Sequence, residues 1–237
     1  MAGRPRWLIA LVFLSFVAAG PLVPVARAQM LHRFRNIAWI VSAGATRLHA
    51  EGQIEEYTDP AIKEGQVDPL FGVRIGVGAY AHTPRFLSAR FLLSYEVRRA
   101  RREVSGVFPE FGCLCDLQET RTHAMRLDYV VASAVGRFHP LGTRSGPFIG
   151  AGPSLAIPTH CVDESYVKSP LVNYRLSHPW GQPVIVYETL MEMGVMVRCM
   201  DLAIEPTLSW AVGVTRLQGP LQDARARVLG VAISLHR

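Results

Sequence analysis

The stretch Phe71-Gly-Val-Arg-Ile-Gly-Val-Gly-Ala-Tyr80 decides the fold, because its side chains alternate between two kinds. Its odd-numbered positions are all apolar, and its even-numbered positions before Tyr80 are glycine or arginine. Successive side chains of a β-strand point to opposite faces, so a period of two predicts a strand with one apolar face. Residues 87–98, 127–136 and 229–236 alternate in the same way. The sequence therefore predicts an all-β protein.

The strand-like segments are even in number, and the connections between them alternate in length. Short connections such as 83–85 alternate with long ones such as 104–122. Short turns at one end and long loops at the other are typical of an up-and-down barrel in an outer membrane. We predict an eight-stranded antiparallel up-and-down transmembrane β-barrel with strands at 37–49, 71–82, 86–103, 123–138, 147–158, 183–198, 202–215 and 225–236.

Two of these segments also fit a helix. Residues 187–200 and 221–229 are rich in good helix formers. We favour strands there, because Gly194 and its neighbouring valines suit a strand and the adjacent strands need partners.

The first 28 residues have the composition of a secretory signal peptide. Two arginines precede an apolar run from Trp7 to Ala19, and Ala26-Arg27-Ala28 provides a cleavage site of small residues. We therefore expect residues 1–28 to be removed and residues 29–237 to form one outer-membrane barrel domain. Residues 1–28 carry three basic and no acidic residues, so the remainder holds 22 basic and 19 acidic residues. This weak charge argues against a nucleic-acid-binding face.

The two faces of the strands favour a barrel in lipid over a soluble sheet. No apolar run of 18 or more residues follows the signal segment, which excludes helical membrane spans. The apolar face suits hydrocarbon, and closure of the barrel pairs every backbone group. Side chains just fill an eight-stranded barrel, so we predict a lumen plugged by ion pairs and no open pore. The predicted lumen charges are Arg74, Arg90, Glu96, Arg98, Arg126, Asp128, Glu188, Glu192 and Glu205.

Aromatic residues near the predicted strand ends are typical of the girdles at membrane interfaces. We predict such a girdle from Trp39, Tyr80, Phe86, Phe138, Phe148 and Trp210.

Two neighbouring segments carry a family resemblance. Met125-Arg-Leu-Asp-Tyr-Val-Val-Ala-Ser-Ala-Val-Gly-Arg-Phe138 is followed, after a short turn, by Gly146-Pro-Phe-Ile-Gly-Ala-Gly-Pro-Ser-Leu155. This pair resembles the PorT-like outer-membrane β-barrel family, most closely at Gly150-Ala-Gly-Pro-Ser154. The resemblance implies an eight-stranded outer-membrane barrel, and one branch of the family is implicated in protein secretion across that membrane. The proline typical of the first segment is absent, and the chain ends Leu235-His236-Arg237 where outer-membrane barrels commonly end in an aromatic residue.

Four cysteines in an exported protein suggest disulfides. Cys113, Cys115 and Cys161 fall in long loops on the outer side, whereas Cys199 falls at a periplasmic turn. We predict one bridge from Cys161 to Cys113 or Cys115, because a barrel wall about 25 Å tall separates these residues from Cys199. A metal site of the three loop cysteines with His160 or His123 has suitable ligands, but its C-x-C spacing is short, and we predict no metal and no cofactor.

The sequence predicts a structural or interaction protein of the cell envelope, not an enzyme. Outer-membrane lipid and an envelope protein held by the long loops are the expected partners, with a link to secretion; nucleic acid is not expected. A soluble periplasmic lipocalin-like barrel that binds a small apolar ligand is the alternative. A lipid-modifying outer-membrane enzyme is a further alternative, although no G-x-S-x-G motif occurs.

Overall fold

Nine β-strands make up a computed structural model that describes residues 36–51, 62–82, 86–109, 116–142, 145–168, 173–179, 185–200, 202–216 and 225–236. The predicted signal peptide lies outside these ranges. No helix in this part of the chain is long and apolar enough to cross a membrane. The strands are β1 (Asn36–Glu51), β2 (Ile62–His82), β3 (Leu87–Pro109), β4 (Asp116–Phe138), β5 (Gly146–Lys168), β6 (Asn173–Pro179), β7 (Val186–Cys199), β8 (Leu202–Arg216) and β9 (Arg225–His236).

Eight of the nine strands close into a barrel. The hydrogen-bonded order is β4-β3-β2-β1-β9-β8-β7-β5-β6, and β4 also pairs with β5, which completes the ring and leaves β6 outside it. The pairings whose residue register the structure describes are all antiparallel, and β1 pairs with β9 from Ile40↔His236 to Glu51↔Arg225. The predicted eight-stranded antiparallel barrel is therefore confirmed.

The predicted strand positions agree with the structure in the residues that it describes, and residues 187–199 and 225–229 of the two segments that also fitted a helix lie in strands. The strands were predicted too short at one end of the barrel. β2, β3, β4 and β5 have 21 to 23 residues each, against 12 to 16 in β1, β7, β8 and β9. β6 was not predicted at all, and it pairs with the extension of β5 at Val162–Lys168. The longer strands thus form a sheet that continues past the shorter ones.

Short turns join the strands at the opposite end, which we call the short-turn end. Cys199 pairs with Leu202, so two residues connect β7 to β8. Met200 there has a φ of 55°, in the left-handed region that two-residue hairpin turns require. We call the other end, where β1–β2, β3–β4, β5–β7 and β8–β9 are joined, the long-loop end.

Alternation along each strand separates an inner from an outer face. On β7 the burial alternates strictly from Val186 to Met193. The inner faces bury an apolar cluster in the half of the barrel nearer the long-loop end, which includes Leu127, Tyr129, Val131 and Leu190. The outer faces carry large apolar side chains in the open, for example Phe71 at 72%, Ile75 at 61% and Val231 at 57% exposure.

Regular alternation of residue type does not identify the inner face of two strands. On β4 the apolar residues Leu127, Tyr129, Val131 and Val135 are buried inside the barrel, where the alternation had predicted that they meet lipid. On β5 an extra residue, Thr159, lies between the pairs Asp128↔His160 and Tyr129↔Pro158. This β-bulge reverses which residues of β5 face inward, since an extra residue in one strand shifts its side chains by one position.

Candidate functional site

The barrel interior holds two clusters of buried ion pairs. The first, the mid-barrel cluster, consists of Arg74 on β2, Glu96 and Arg98 on β3, and Glu188 on β7. Arg98 Nη1 lies 2.5 Å from Glu188 Oε1, and Arg98 Nη2 lies 3.0 Å from Glu96 Oε2. Arg74 Nη1 lies 3.4 Å from Glu96 Oε1. Two arginines and two glutamates balance, and the Arg98–Glu188 pair crosses the interior because β4 and β5 separate β3 from β7.

The second, the short-turn cluster, consists of Arg90, Arg137, Glu192, Glu205 and His236. Glu192 accepts hydrogen bonds from Arg90 and from Arg137. Both Nη groups of Arg137 donate to Glu205, at 2.6 and 2.7 Å, which is the bidentate geometry that suits a guanidinium and a carboxylate. His236 Nε2 lies 3.0 Å from Glu205 Oε2. This cluster links β3, β4, β7, β8 and β9.

Aromatic rings enclose the cationic groups of both clusters. The guanidinium of Arg137 lies 4.2 Å from the ring centre of Phe148 and 5.7 Å from that of Tyr80. The guanidinium of Arg98 lies 4.8 Å from the ring centre of Tyr129. Such cation–π contacts are strongest where water is excluded. These rings and ion pairs pack together in the interior. The cavity beside Arg74 and Glu96 has space for about one water molecule.

Seven of the nine predicted lumen charges lie inside the barrel, namely Arg74, Arg90, Glu96, Arg98, Glu188, Glu192 and Glu205. The prediction was wrong for Arg126 and Asp128, which lie on the outer face of β4. The side chain of Arg126 is 49% exposed and pairs with Asp128 at 2.9 Å. Asp128 is covered on the outside by Arg126 and by Tyr95, whose hydroxyl donates to it at 2.7 Å. The physical reason is that Leu127 and Tyr129, between and beside them, fill the interior.

The sequence reasoning missed Arg137, a central residue of the short-turn cluster. Arg137 shares its face of β4 with Val135 and Val131, and that face had been assigned to lipid. A charged residue in line with the apolar face was the available signal that this face points inward. Tyr80 and Phe148, which we predicted in the aromatic girdle, are likewise buried at 3% and 1% exposure. Trp39, Phe86, Phe138 and Trp210 do lie on the outer surface.

The cysteine prediction does not hold at Cys161. Cys161 is a free thiol, partly buried and packed against the apolar cluster of the interior, because the bulge at Thr159 turns it inward. Cys199 is a free, exposed thiol. Cys113 and Cys115 lie outside the described residues. Within the described part of the chain, no group of three or more potential metal ligands occurs, and His123 is engaged by Ser165 at 3.0 Å.

A serine and a histidine meet inside the short-turn end. Ser88 Oγ lies 2.8 Å from His139 Nε2, and the Tyr80 hydroxyl lies 3.2 Å from the same nitrogen. Ser88 and His139 are 5% and 0% exposed, respectively. The backbone N–H of His139 also donates to the carbonyl of Phe86 at 2.7 Å, which fixes one short turn against the next. These contacts hold the turns in place.

The hairpin of β5 and β6 carries an exposed ion pair at the long-loop end. Arg175 Nη2 lies 2.7 Å from Glu164 Oε1, and the Tyr166 hydroxyl donates to Glu164 at 3.0 Å. These hydrogen bonds, that of Arg175 first, lower the pKa of the Glu164 carboxyl. The carboxylate in turn raises the pKa of Arg175.

The strand pairing defines the class of the protein: a closed eight-stranded antiparallel β-barrel with one additional strand. No family model and no curated protein matches the chain, so the resemblance to the PorT-like family stays a prediction.

Solved structures similar to the chain are remote. Neisserial surface protein A is 11% identical, with a TM-score of 0.38 over 83% of this chain and 97% of that chain. The Yersinia pestis attachment invasion locus protein Ail, solved in complex with the heparin analogue sucrose octasulfate, is 9% identical, with a TM-score of 0.34 over 85% and 99%. The translocator domain of the autotransporter NalP from Neisseria meningitidis is 8% identical, with a TM-score of 0.26 over 89% and 92%. The barrel is therefore assigned from its own strand pairing.

Proposed function

We propose that the chain is a small outer-membrane barrel protein of the cell envelope that spans the bilayer without conducting. The observation that carries this proposal is the belt of exposed apolar side chains on the outside of the closed barrel. On β7 the belt runs from Tyr187 to Val197. Ten residue steps of about 3.3 Å, at a strand tilt of about 40°, correspond to about 25 Å along the barrel axis, the height of a lipid-facing band.

The ion pairs support a plugged lumen. Each cluster balances its arginines with an equal number of glutamates, so the arginine and glutamate charges within each cluster cancel. Pairs such as Arg98–Glu188 and Arg137–Glu205 join strands that are not neighbours, and their side chains cross the path that an ion would take. A structural role fits this arrangement, because buried charges are tolerated only when they are paired.

The long-loop end is the surface that we assign to partners. There β3, β4 and β5 extend beyond the shorter strands, and β6 widens the sheet. An exposed sheet with an edge strand is suited to binding another protein. The resemblance to the PorT-like family suggests a partner in an envelope or secretion assembly. The proposal includes no catalytic role.

The lipocalin-like alternative requires the opposite arrangement of faces. A soluble barrel with an apolar ligand would place its apolar face inward around a cavity and its polar face in water. Here the exposed outer residues are largely apolar, and the interior cavity beside Arg74 has space for about one water molecule. These observations favour the membrane barrel.

Fractionation of expressing cells, followed by gel migration with and without boiling, tests the membrane location. We expect the protein in the outer-membrane fraction, with a mobility that shifts on heating. A soluble periplasmic protein without a shift would support the lipocalin-like alternative.

Planar-bilayer recording tests the plug. The wild-type barrel is expected to give no steady conductance, whereas Arg98→Ala combined with Glu188→Ala removes side chains that cross the lumen and is expected to leak. Arg101→Ala is the control, because Arg101 pairs with Glu103 on exposed surface. Only heat-shifting, folded variants are compared. Large steady steps from the wild type would contradict the plug.

A further inference from the structure

Three arginines lie on the outside of the barrel where the apolar belt ends toward the long-loop end. They are Arg47 on β1, Arg99 on β3 and Arg126 on β4, and we call them the arginine row. Each of them is exposed. Below them on β3 lie the exposed side chains of Leu93 and Tyr95. The arginine row therefore lies at the border between the apolar belt and the strand extensions beyond it.

The arginine row is compact. Arg99 and Arg126 are direct partners in the β3–β4 ladder, so their side chains leave neighbouring strands on the same face. The guanidinium of Arg47 lies 5.8 Å from the ring centre of Phe71 on β2, the strand between β1 and β3. At a strand spacing of about 4.8 Å, the four strands place all three arginines within about 15 Å.

The row has more positive charge than its surroundings neutralise. Asp128 pairs with Arg126 through two hydrogen bonds of 2.9 and 3.1 Å. The side chain of Arg99 makes no hydrogen bond or ion pair with any described residue, and the cation–π contact with Phe71 leaves the charge of Arg47 in place. Like charges directly opposite each other in a sheet are destabilising, so an anion between Arg99 and Arg126 would relieve a cost that the folded chain otherwise bears.

The position of the row selects the kind of anion. In a bilayer, the residues just beyond the apolar belt lie among the lipid headgroups, and aromatic side chains such as Phe71 and Tyr95 are favoured at that level. Guanidinium groups bind phosphate oxygens in pairs, which makes arginine the preferred residue for phosphate recognition. On β7 the long-loop end instead presents Ile185 and Tyr187 outward, so the feature belongs to the β1–β4 side.

We infer that the arginine row binds the phosphate groups of an anionic lipid headgroup in the leaflet at the long-loop end. This inference rests on the proposed membrane location. The bound lipid places its phosphates against Arg99 and Arg126 and the top of its acyl chains against Tyr95 and Phe71. The barrel thereby gains a fixed annular lipid on one side.

Titration of the full-length barrel in neutral detergent with diphosphoryl lipid A tests this inference, with the midpoint of thermal unfolding as the readout. The test variant is Arg99→Gln combined with Arg126→Gln. The matched control is Arg198→Gln, an exposed arginine at the short-turn end of β7. We expect binding to the test variant to be roughly tenfold to thirtyfold weaker, at about threefold to fivefold per arginine, and binding to the control to be unchanged.

Two further probes identify the source of the phosphate. The same lipid without its phosphates is expected to bind weakly to the wild type, and inorganic phosphate is expected not to compete at similar concentrations. Equal binding of the dephosphorylated lipid, full competition by inorganic phosphate, or unchanged binding in the heat-shifting test variant would each overturn the inference. Those results leave the membrane location intact. A wild-type chain that inserts into no vesicle would overturn the proposed function and the inference together.

Discussion

The inner surface of this barrel combines buried ion pairs with an apolar cluster, whereas its outer surface exposes large apolar side chains. Inside, Arg90 and Glu205 are 0% exposed. Outside, Trp39 is 76% and Phe71 72% exposed. The two surfaces belong to the same strands and are one residue apart in sequence. The comparison teaches that the polarity of a face does not by itself identify the interior of this barrel, and the proposed bilayer would account for the apolar outside.

The largest loss of unfolding free energy is expected when one charge is removed from the buried ion pairs of the interior. Glu192→Gln leaves the buried guanidiniums of Arg90 and Arg137 with one carboxylate fewer. Removing one partner of a buried ion pair costs about 3–5 kcal/mol, because the other charge stays out of water. Urea unfolding in lipid vesicles measures the loss.

The matched control makes the same substitution on the outside. Glu103 pairs with Arg101 at 3.6 Å, and both side chains are 50% exposed. Glu103→Gln is expected to cost less than about 1 kcal/mol, since exposed ion pairs contribute little. Equal losses of unfolding free energy in the two variants would contradict the expected difference between buried and exposed ion pairs.

The next largest loss of unfolding free energy is expected when a charge is introduced on the outer surface. Val231 lies in the middle of β9 and is 57% exposed. Val231→Arg is expected to cost about 2–4 kcal/mol in vesicles, because the guanidinium would enter hydrocarbon. Val231→Leu is the apolar control and is expected to change little. A fully stable arginine variant would mean that Val231 does not face the middle of the bilayer.

A smaller loss of unfolding free energy is expected at Tyr95, where the apolar belt ends toward the long-loop end. Tyr95→Phe removes the 2.7 Å hydrogen bond to Asp128. The expected loss is about 1 kcal/mol, since Asp128 keeps Arg126 as a partner. Tyr187→Phe serves as control, because the exposed Tyr187 hydroxyl makes no hydrogen bond with the described residues. The same unfolding measurement should separate the two, and identical losses would argue against the Tyr95–Asp128 bond.

The smallest effect is expected in the β5–β6 hairpin, beyond the apolar belt at the long-loop end. Because Arg175 lowers the pKa of Glu164 in the folded state, the pair stabilises the hairpin above the unfolded carboxyl pKa of about 4.3. This contribution is lost as the pH falls through the lowered folded pKa. NMR titration of the Glu164 carboxyl measures the shift, and Arg175→Gln should raise that pKa toward its ordinary value. An unchanged pKa in the variant would rule out Arg175 as its cause.

The sequence predicted the barrel because the two faces of most strands differ in polarity. Ile75 and Arg74 on β2, or Val231 and Ser234 on β9, show in their residue types which face is which. On β4 this signal fails, since its inner face is apolar and its outer face is mostly small, with Ala132, Ala134 and Gly136. An apolar cluster inside the lumen cannot be told from a lipid-facing stripe by alternation alone.

The extensions of the strands at the long-loop end were not predicted for a different reason. In the extensions, residues 116–124 and 159–168 mix polar and apolar positions without a sustained period of two. The bulge at Thr159 adds a change of face that no composition records. The positions of Cys161 and β6 therefore depended on pairing in three dimensions.

The meeting of β1 with β9 also bears on the order of assembly. Ser42 and Ser234 are 192 positions apart in the chain, and their hydroxyls lie 3.1 Å from each other. Contacts between remote positions form slowly, because a long loop must close before they contribute. Until β9 reaches β1, an eight-stranded sheet would present two open edges, which other chains can join. Pairing of β1 with β9 is thus the contact that removes the open edges and protects the chain from aggregation.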